Sequence, residues 1–171
     1  MTTDELARDA ARAAARARTG TVVAIHVAPR SGEPMIGRDR ILAIAGVGLE
    51  GDRYAARAGH WSPNLGVDRD ITLIEAEVIE DLAATDGIRL DPGDSRRNVT
   101  TRGIRLNELV GRRFRVGDAI CEGTRLCEPC QYLTDLLGKP VLEPLVHRAG
   151  LRARIVEGGE IAVGAEVAAL D

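Results

Sequence analysis

Residues 112–138, RRFRVGDAICEGTRLCEPCQYLTDLLG, contain the pattern that decides the fold. Arg112–Val116 and Ala119–Thr124 have the residue pattern of short strands, and the turn residues Val116-Gly117-Asp118 join them. A helix is predicted over Gln131–Leu137, shortly after the second strand. This segment therefore predicts two strands and a helix in close succession.

The same strand-like pattern recurs along most of the chain after Gly20. The other predicted strands are Thr21–Ala28, Arg40–Ala45, Ile71–Ile74, Asn98–Thr101, Leu151–Val156 and Ile161–Leu170. The other predicted helices are Glu75–Ala84, Leu106–Val110 and Pro140–Ala149. Because strands outnumber helices and do not alternate regularly with them, the sequence predicts a mainly β single domain, a β-barrel or closed sheet with peripheral α-helices.

The first 19 residues differ from the rest because Ala and Arg dominate them. Residues 3–18 are predicted to form a helix, with Thr3 as its N-cap and two acids in its first turn. Its apolar face is almost entirely alanine, so it has little surface to bury. We therefore expect a loosely docked helical extension over residues 1–19 and a domain over residues 20–171.

The composition of the 171 residues excludes several classes of protein. The aromatic residues are Tyr54, Trp61, Phe114 and Tyr132, too few for binding nucleic acid by stacked rings. The sequence has no apolar run of about 18 residues, so no membrane span is expected. Three cysteines without a secretory signal predict reduced thiols and a cytoplasmic location.

A net charge of −3 hides a strongly basic segment, Arg96–Arg115, with seven arginines and one acid. Within it, Arg97, Asn98 and Thr100 suit a phosphate or another oxyanion, because guanidinium groups give charged hydrogen bonds and amides and hydroxyls add neutral ones. The later arginines are expected to be solvated. The segment Gly46–Tyr54 lacks a P-loop lysine, so it is interpreted as a tight turn.

The segment Cys127-Glu128-Pro129-Cys130 has the strongest chemical signal. Pro129 fixes the backbone before Cys130, which is placed at the start of the predicted helix, where free N–H groups favour a thiolate. Three interpretations remain open. Cys127 and Cys130 are a redox pair; the two thiols bind zinc together with Cys121 and His147; or the cysteines are small core residues, the favoured interpretation for Cys121.

Five segments, taken in order, resemble the MOSC domain, which is named for the C-terminal domain of molybdenum cofactor sulfurases. They are GVGLEGDRY (46–54), DRDITLIEAEVIE (68–80), RRNVTTRGIRLNELVGRRFRVGDA (96–119), CEPC (127–130) and GLRARIVEGGEIAVGAEV (150–167). The resemblance runs from about Thr21 to Leu170. It implies a β-barrel with added helices, in agreement with the strand pattern.

The resemblance also implies site residues. Cys130 matches the position of a cysteine that carries sulfur or ligates molybdenum in the pterin cofactor, and Cys127 is a second thiol. The Arg-Asn-Thr segment matches one that holds the pterin and its phosphate, so Arg97, Asn98 and Thr100 are expected to bind the cofactor. Arg69, Gly51 and Asp52 are further candidates by the same resemblance.

Two functions follow from this resemblance. The first is a molybdenum cofactor protein that reduces N-hydroxylated compounds; since the sequence has no flavin, iron–sulfur or haem segment, an external reductase must donate electrons. The second is a metal-free sulfur carrier that receives sulfur on Cys130 from a cysteine desulfurase. A zinc-stabilised binding module is a third hypothesis. Neither nucleic acid nor a membrane is expected as a partner.

Overall fold

The computed structural model describes residues 1–60, 62 and 69–170; Trp61 and Asp68 of the sequence analysis lie outside them. The α-helices in these ranges are α1 (Thr3–Ala17), α2 (Ala76–Asp86) and α3 (Gln131–Leu137). The strands in them are β1 (Thr19–Val27), β2 (Ile36–Arg38), β3 (Arg40–Ile44), β4 (Gly48–Leu49), β5 (Ile71–Glu75), β6 (Val99–Arg102), β7 (Arg113–Val116), β8 (Ala119–Leu126), β9 (Leu151–Glu157), β10 (Gly159–Ala162) and β11 (Glu166–Ala169).

A closed barrel forms the centre of the molecule. In the described ranges its seven strands follow the order β1-β11-β7-β8-β9-β5-β6 and return to β1. Neighbouring strands are antiparallel except for β5 and β6, which are parallel. Strand β2 extends the sheet beside β1, and β10, β3 and β4 form a separate small sheet. The predicted mainly β barrel with peripheral helices is confirmed.

Two apolar clusters hold the fold together. The barrel interior buries alternate residues of its strands, with Phe114, Ile71 and Leu73 fully enclosed. A second cluster lies outside the barrel, where Leu82 of α2 and Leu133 of α3 pack together. The alternation of apolar and polar residues, which predicted the strands, therefore identifies the side chains that face the barrel interior.

The segment Pro140–Ala149, predicted as a helix, is instead a series of turns. Its residues Val141, Leu145 and Ala149 are spaced four apart and are all buried in the second cluster. A spacing of four residues is typical of one face of a helix, but here it marks turn residues that are buried. Near the end of these turns, His147 has a left-handed backbone with φ of 63°, which is incompatible with a right-handed helix.

Other predicted elements differ at their boundaries. The single strand expected over Ile161–Leu170 is divided between β10 and β11 by a turn at Gly164, whose φ is 90°. The helix expected over Leu106–Val110 is a 3-10 helix over Leu106–Leu109. Strand β2 escaped prediction because all three of its residues are exposed, so it shows no alternation.

Helix α1 precedes the barrel, and the side chains of residues 3–12 are exposed. Its N-terminus is capped by Thr2 rather than Thr3: the Thr2 hydroxyl accepts from the Glu5 N–H at 3.1 Å, and the Glu5 carboxylate accepts from the Thr2 N–H at 2.6 Å. This reciprocal pair is a capping box. Across the described ranges, no helix is long and apolar enough to span a membrane.

Candidate functional site

A cleft opens beside the barrel, next to the loop that carries Cys127 and Cys130. About 670 Å³ of space outside protein atoms lies within it, and part of that space is open solvent. Both thiols line it. The arginines that line it are Arg53, Arg69, Arg96, Arg97 and Arg152.

Cys130 lies at the first position before α3, which spans the predicted residues. Its backbone is extended, with φ of −138° and ψ of 164°, and its carbonyl accepts from the N–H groups of Leu133 and Thr134. The Cys130 side chain is half-buried, whereas Cys127 is only 4% exposed. The loop thus presents one thiol to the cleft mouth and buries the other.

Arg97 lines the cleft, but its guanidinium donates hydrogen bonds to backbone carbonyls. Its Nε donates to the Ala149 carbonyl at 2.9 Å, its Nη2 to the Cys127 carbonyl at 3.0 Å and its Nη1 to the Ser95 carbonyl at 3.3 Å. The guanidinium therefore joins the thiol loop to the segment before β9. Its predicted role as a phosphate ligand stays a prediction.

Arg96, which the sequence analysis did not single out, is the more unusual of the two arginines. It is 8% exposed, and its backbone is left-handed with φ of 62°. Its Nη1 donates to the Glu33 carbonyl at 2.5 Å, but its buried Nη2 has no hydrogen-bond partner within residues 1–60, 62 and 69–170. Burial, followed by the neighbouring charge of Arg53, lowers the pKa of Arg96.

Arg53 and Asp52 form a buried ion pair behind Arg96. The Asp52 Oδ1 lies 3.1 Å from Arg53 Nη1 and also accepts from the Ala28 N–H at 3.2 Å. The Arg53 Nη2 donates to the Arg96 carbonyl at 3.3 Å. Asp52 therefore affects the cleft through its contact with Arg53. Gly51, with φ of 81°, makes the tight turn that precedes Asp52.

Asn98 and Thr100, two predicted cofactor ligands, do not line the cleft. The Asn98 side chain accepts from the backbone and hydroxyl of Thr72, both at 3.1 Å, and donates to the His26 carbonyl at 3.2 Å. Thr100 pairs with Ala24 and Ile74 in the barrel wall. Of the predicted cofactor-binding residues, the cleft brings together Arg69 and Arg97 with the two thiols.

A pair of stacked rings also lines the cleft. The centroids of His60 and Tyr132 are 3.8 Å apart, with an interplanar angle of 5°. The Tyr132 hydroxyl lies 3.2 Å from the hydroxyl of Ser31. No local sequence pattern points to this pair, because His60 and Tyr132 are 72 residues apart in the chain.

Cys121 takes no part in this site. It is fully buried in the barrel interior, and burial raises the pKa of its thiol to about 12. Its interpretation as a core residue is confirmed. The alternative of a zinc site made by Cys121, Cys127, Cys130 and His147 is wrong: the described part of the chain has no group of three His, Cys, Asp or Glu residues placed to share a metal ion.

Comparison with known proteins identifies the family. The family model of the MOSC domain matches residues 60–168. The chain belongs to the MOSC domain family. No curated protein matches it in sequence.

Solved structures of other chains have a similar fold. The YUAD protein from Bacillus subtilis is similar with a TM-score of 0.73 and 19% identity, over 87% of this chain and 94% of that one. YiiM from Geobacillus stearothermophilus has a TM-score of 0.67 and 16% identity, over 89% and 75% of the two chains. YiiM from Escherichia coli has a TM-score of 0.63 and 17% identity, over 88% and 70%.

The MOSC match contains most of the cleft but not all of it. It includes Arg96, Cys127 and Cys130, whereas Arg53 and its partner Asp52 precede residue 60. The MOSC family is associated with the molybdenum cofactor. The arginine-lined cleft of this MOSC domain is therefore the place to test for that group.

Proposed function

We propose that this MOSC domain binds the molybdenum cofactor in the cleft, with the Cys130 thiolate as a ligand of molybdenum. The observation that carries the proposal is the buried Nη2 of Arg96, which has no partner within the described ranges and lines the same cleft as Cys130. A buried N–H group without a partner costs free energy, and the cost is larger when the group is charged. An anion in the cleft removes that cost.

The charges around Arg96 favour a phosphate as the anion. The carboxylate of Asp52 balances Arg53, but Arg96 and Arg97 donate to neutral carbonyls, which leave their charge in place. Arg–phosphate hydrogen bonds are short and charge-assisted, so the cofactor's phosphate gains most beside Arg96. Arg53, held by Asp52, donates a hydrogen bond to the Arg96 carbonyl and so keeps the Arg96 backbone in position.

The thiols suit a metal that arrives with most of its ligands. Cys130 offers one sulfur at the cleft mouth, and the dithiolene of the cofactor offers two more. When bound, the cofactor supplies a metal centre that exchanges electrons with substrate and donor. The chain's own residues then bind the phosphate at Arg96, hold the metal at Cys130 and bound the substrate space with the His60–Tyr132 stack.

The proposed reaction is the reduction of an N-hydroxylated compound, with an external reductase as the electron donor. Reduction of the N–O bond consumes two electrons and two protons and releases water, so a donor must supply the electrons. Support for the substrate class comes from the family resemblance alone. The cofactor must therefore be tested first.

Metal and pterin analysis of protein made in a cofactor-competent host tests the proposal. We expect molybdenum and pterin in the wild type and in Cys121→Ala, which removes a thiol outside the cleft, and loss of both in Cys130→Ser. Arg96→Gln is expected to lose pterin, while Arg115→Gln, an exposed arginine of β7, retains it. A wild type without molybdenum or pterin would contradict the proposal.

A second function, sulfur carriage without metal, is favoured by the presence of two thiols in one cleft. The Cys130 thiolate attacks the outer sulfur of a persulfide on a cysteine desulfurase; a new S–S bond forms on Cys130 and the desulfurase leaves as a thiolate. The Cys127 thiolate then attacks Cys130 Sγ, which releases hydrosulfide and leaves a Cys127–Cys130 disulfide. No further oxidant is needed in either step.

Intact-mass spectrometry after incubation with a desulfurase and cysteine distinguishes this function from the first. A gain of one sulfur in the wild type and in Cys121→Ala, absent from Cys130→Ser, is the expected result. A wild type with neither sulfur on a cysteine nor a Cys127–Cys130 disulfide, or with sulfur on Cys121 as readily as on Cys130, would refute the sulfur-carrier function.

A further inference from the structure

The loop between β8 and α3, Cys127–Cys130, belongs to no helix or strand, and side chains and isolated backbone contacts hold it. The Cys127 N–H donates to the Gly150 carbonyl at 2.8 Å, and the Cys127 carbonyl accepts from Arg97. At its other end Cys130 is fixed by α3. Glu128 and Pro129 span the distance between these two fixed points.

Glu128 is held by one residue through both of its carboxylate oxygens. Oε1 accepts from the His147 backbone N–H at 2.7 Å, and Oε2 lies 2.7 Å from the His147 ring Nδ1. The side chains of His147 and Glu128 are 75% and 43% exposed, so the pair lies at the protein surface. Glu128 and His147 lie 19 residues apart in the chain.

The residue that holds Glu128 is itself fixed. The His147 carbonyl accepts from the Asn107 side chain at 2.8 Å, and its backbone is left-handed. Three residues later, Gly150 passes so close to β5 that a Cβ added there would lie 2.0 Å from the Leu73 carbonyl oxygen. Segment 147–150 is thus a rigid support for the loop.

We propose that Glu128 and His147 form a clamp that positions the Cys127–Cys130 loop, so that both are positioning residues for the two thiols. The inference rests on the proposed role of this loop. The buried contacts of Cys127 fix the start of the loop, and the clamp fixes the next residue, which also lines the cleft. Opening the clamp gives Cys127 access to reagents while the barrel stays closed.

Thiol labelling of metal-free protein with N-ethylmaleimide, read by peptide mass spectrometry, tests the clamp. Cys130 labels in the wild type, and Cys127 and Cys121 are protected by burial. Glu128→Ala and His147→Gly are expected to speed Cys127 labelling by about fivefold, the effect of losing one exposed charge contact on a local opening equilibrium. Cys121, enclosed by the barrel, reports global unfolding in the same sample.

His147→Asn is the matched rescue variant. Asparagine and glycine both accept the left-handed backbone, but only asparagine has a side-chain N–H to donate to Glu128. We expect His147→Asn to restore Cys127 protection and His147→Gly to lose it. Unchanged Cys127 labelling in Glu128→Ala and His147→Gly would overturn the clamp, and so would Cys121 labelling that rises in parallel.

Because labelling uses protein without metal, the clamp and the proposed function fail separately. Wild-type protein without molybdenum or pterin, together with faster Cys127 labelling in His147→Gly, refutes the cofactor proposal and supports the clamp. Molybdenum bound as proposed, with unchanged labelling in both clamp variants, refutes the clamp alone.

Discussion

The barrel interior and the cleft beside it are built on opposite principles. The interior follows local rules: alternate apolar residues point inward, and its cysteine, Cys121, is an inert thiol among them. The cleft breaks those rules, because Arg96 is buried, left-handed and missing a partner at Nη2 within the described ranges. Such departures cost stability, and proteins retain them at functional sites. The contrast singles out the cleft as the candidate site on structural grounds alone.

Truncation of the interior is expected to give the largest change. Phe114→Ala removes a fully buried ring from the barrel and should lower the free energy of unfolding by about 3–5 kcal/mol. Urea unfolding measures it, with Val163→Ala at an exposed turn as the control. A loss as small as that of the control would mean that the barrel interior does not dominate stability.

The second largest effect on the free energy of unfolding is expected at the two adjacent arginines of the cleft, where the two variants should differ. Arg97→Gln leaves buried carbonyls without donors and should cost about 2–3 kcal/mol of unfolding free energy. Arg96→Gln removes a buried charge whose Nη2 has no partner in the described ranges, so we expect a change below about 1 kcal/mol. Equal losses in the two variants, measured by urea unfolding, would contradict the division of roles between them.

A smaller, pH-dependent effect is expected at His26 in β1. Burial lowers the pKa of His26, so the unfolded chain takes up a proton at a higher pH than the folded protein. Stability should therefore fall as the pH drops below the unfolded pKa of about 6.5, and His26→Gln should reduce that fall. Unfolding free energies of both proteins between pH 7.5 and about 5 provide the check. Identical slopes would show that His26 is protonated without cost.

The smallest effect is expected at Arg102, in the same basic segment as Arg96. Its guanidinium forms exposed ion pairs with Glu80 and Glu77. Exposed pairs contribute little to stability, so Arg102→Ala should leave the thermal midpoint unchanged within error. A clear drop in that midpoint would show that the basic segment stabilises the fold outside the cleft as well.

The sequence predicts the barrel and the thiol loop well, because both depend on local pattern. Alternation identified most barrel strands, and Pro129 with the following apolar residues placed Cys130 at the start of α3. The arrangement of Arg96 and Arg97 could not be predicted, since Arg96 has a left-handed backbone that no local sequence pattern signals. Asn98 has the chemistry of a ligand, but only the pairing of β1, β5 and β6 shows that it links strands.

The closure of the barrel also bears on how the chain is synthesised. Strand β1 pairs with β11 through contacts such as Thr19 with Ala168. The pairing of β1 therefore cannot be completed until β11, the last barrel strand, has been synthesised. Pairing over such sequence separation is slow, because loop-closure entropy must be lost before contacts form. Until β11 emerges from the ribosome, β1 and β7 carry open edges that pair readily with other chains. A chaperone that shields these edges during translation would therefore raise the yield of folded protein more than one that acts after release.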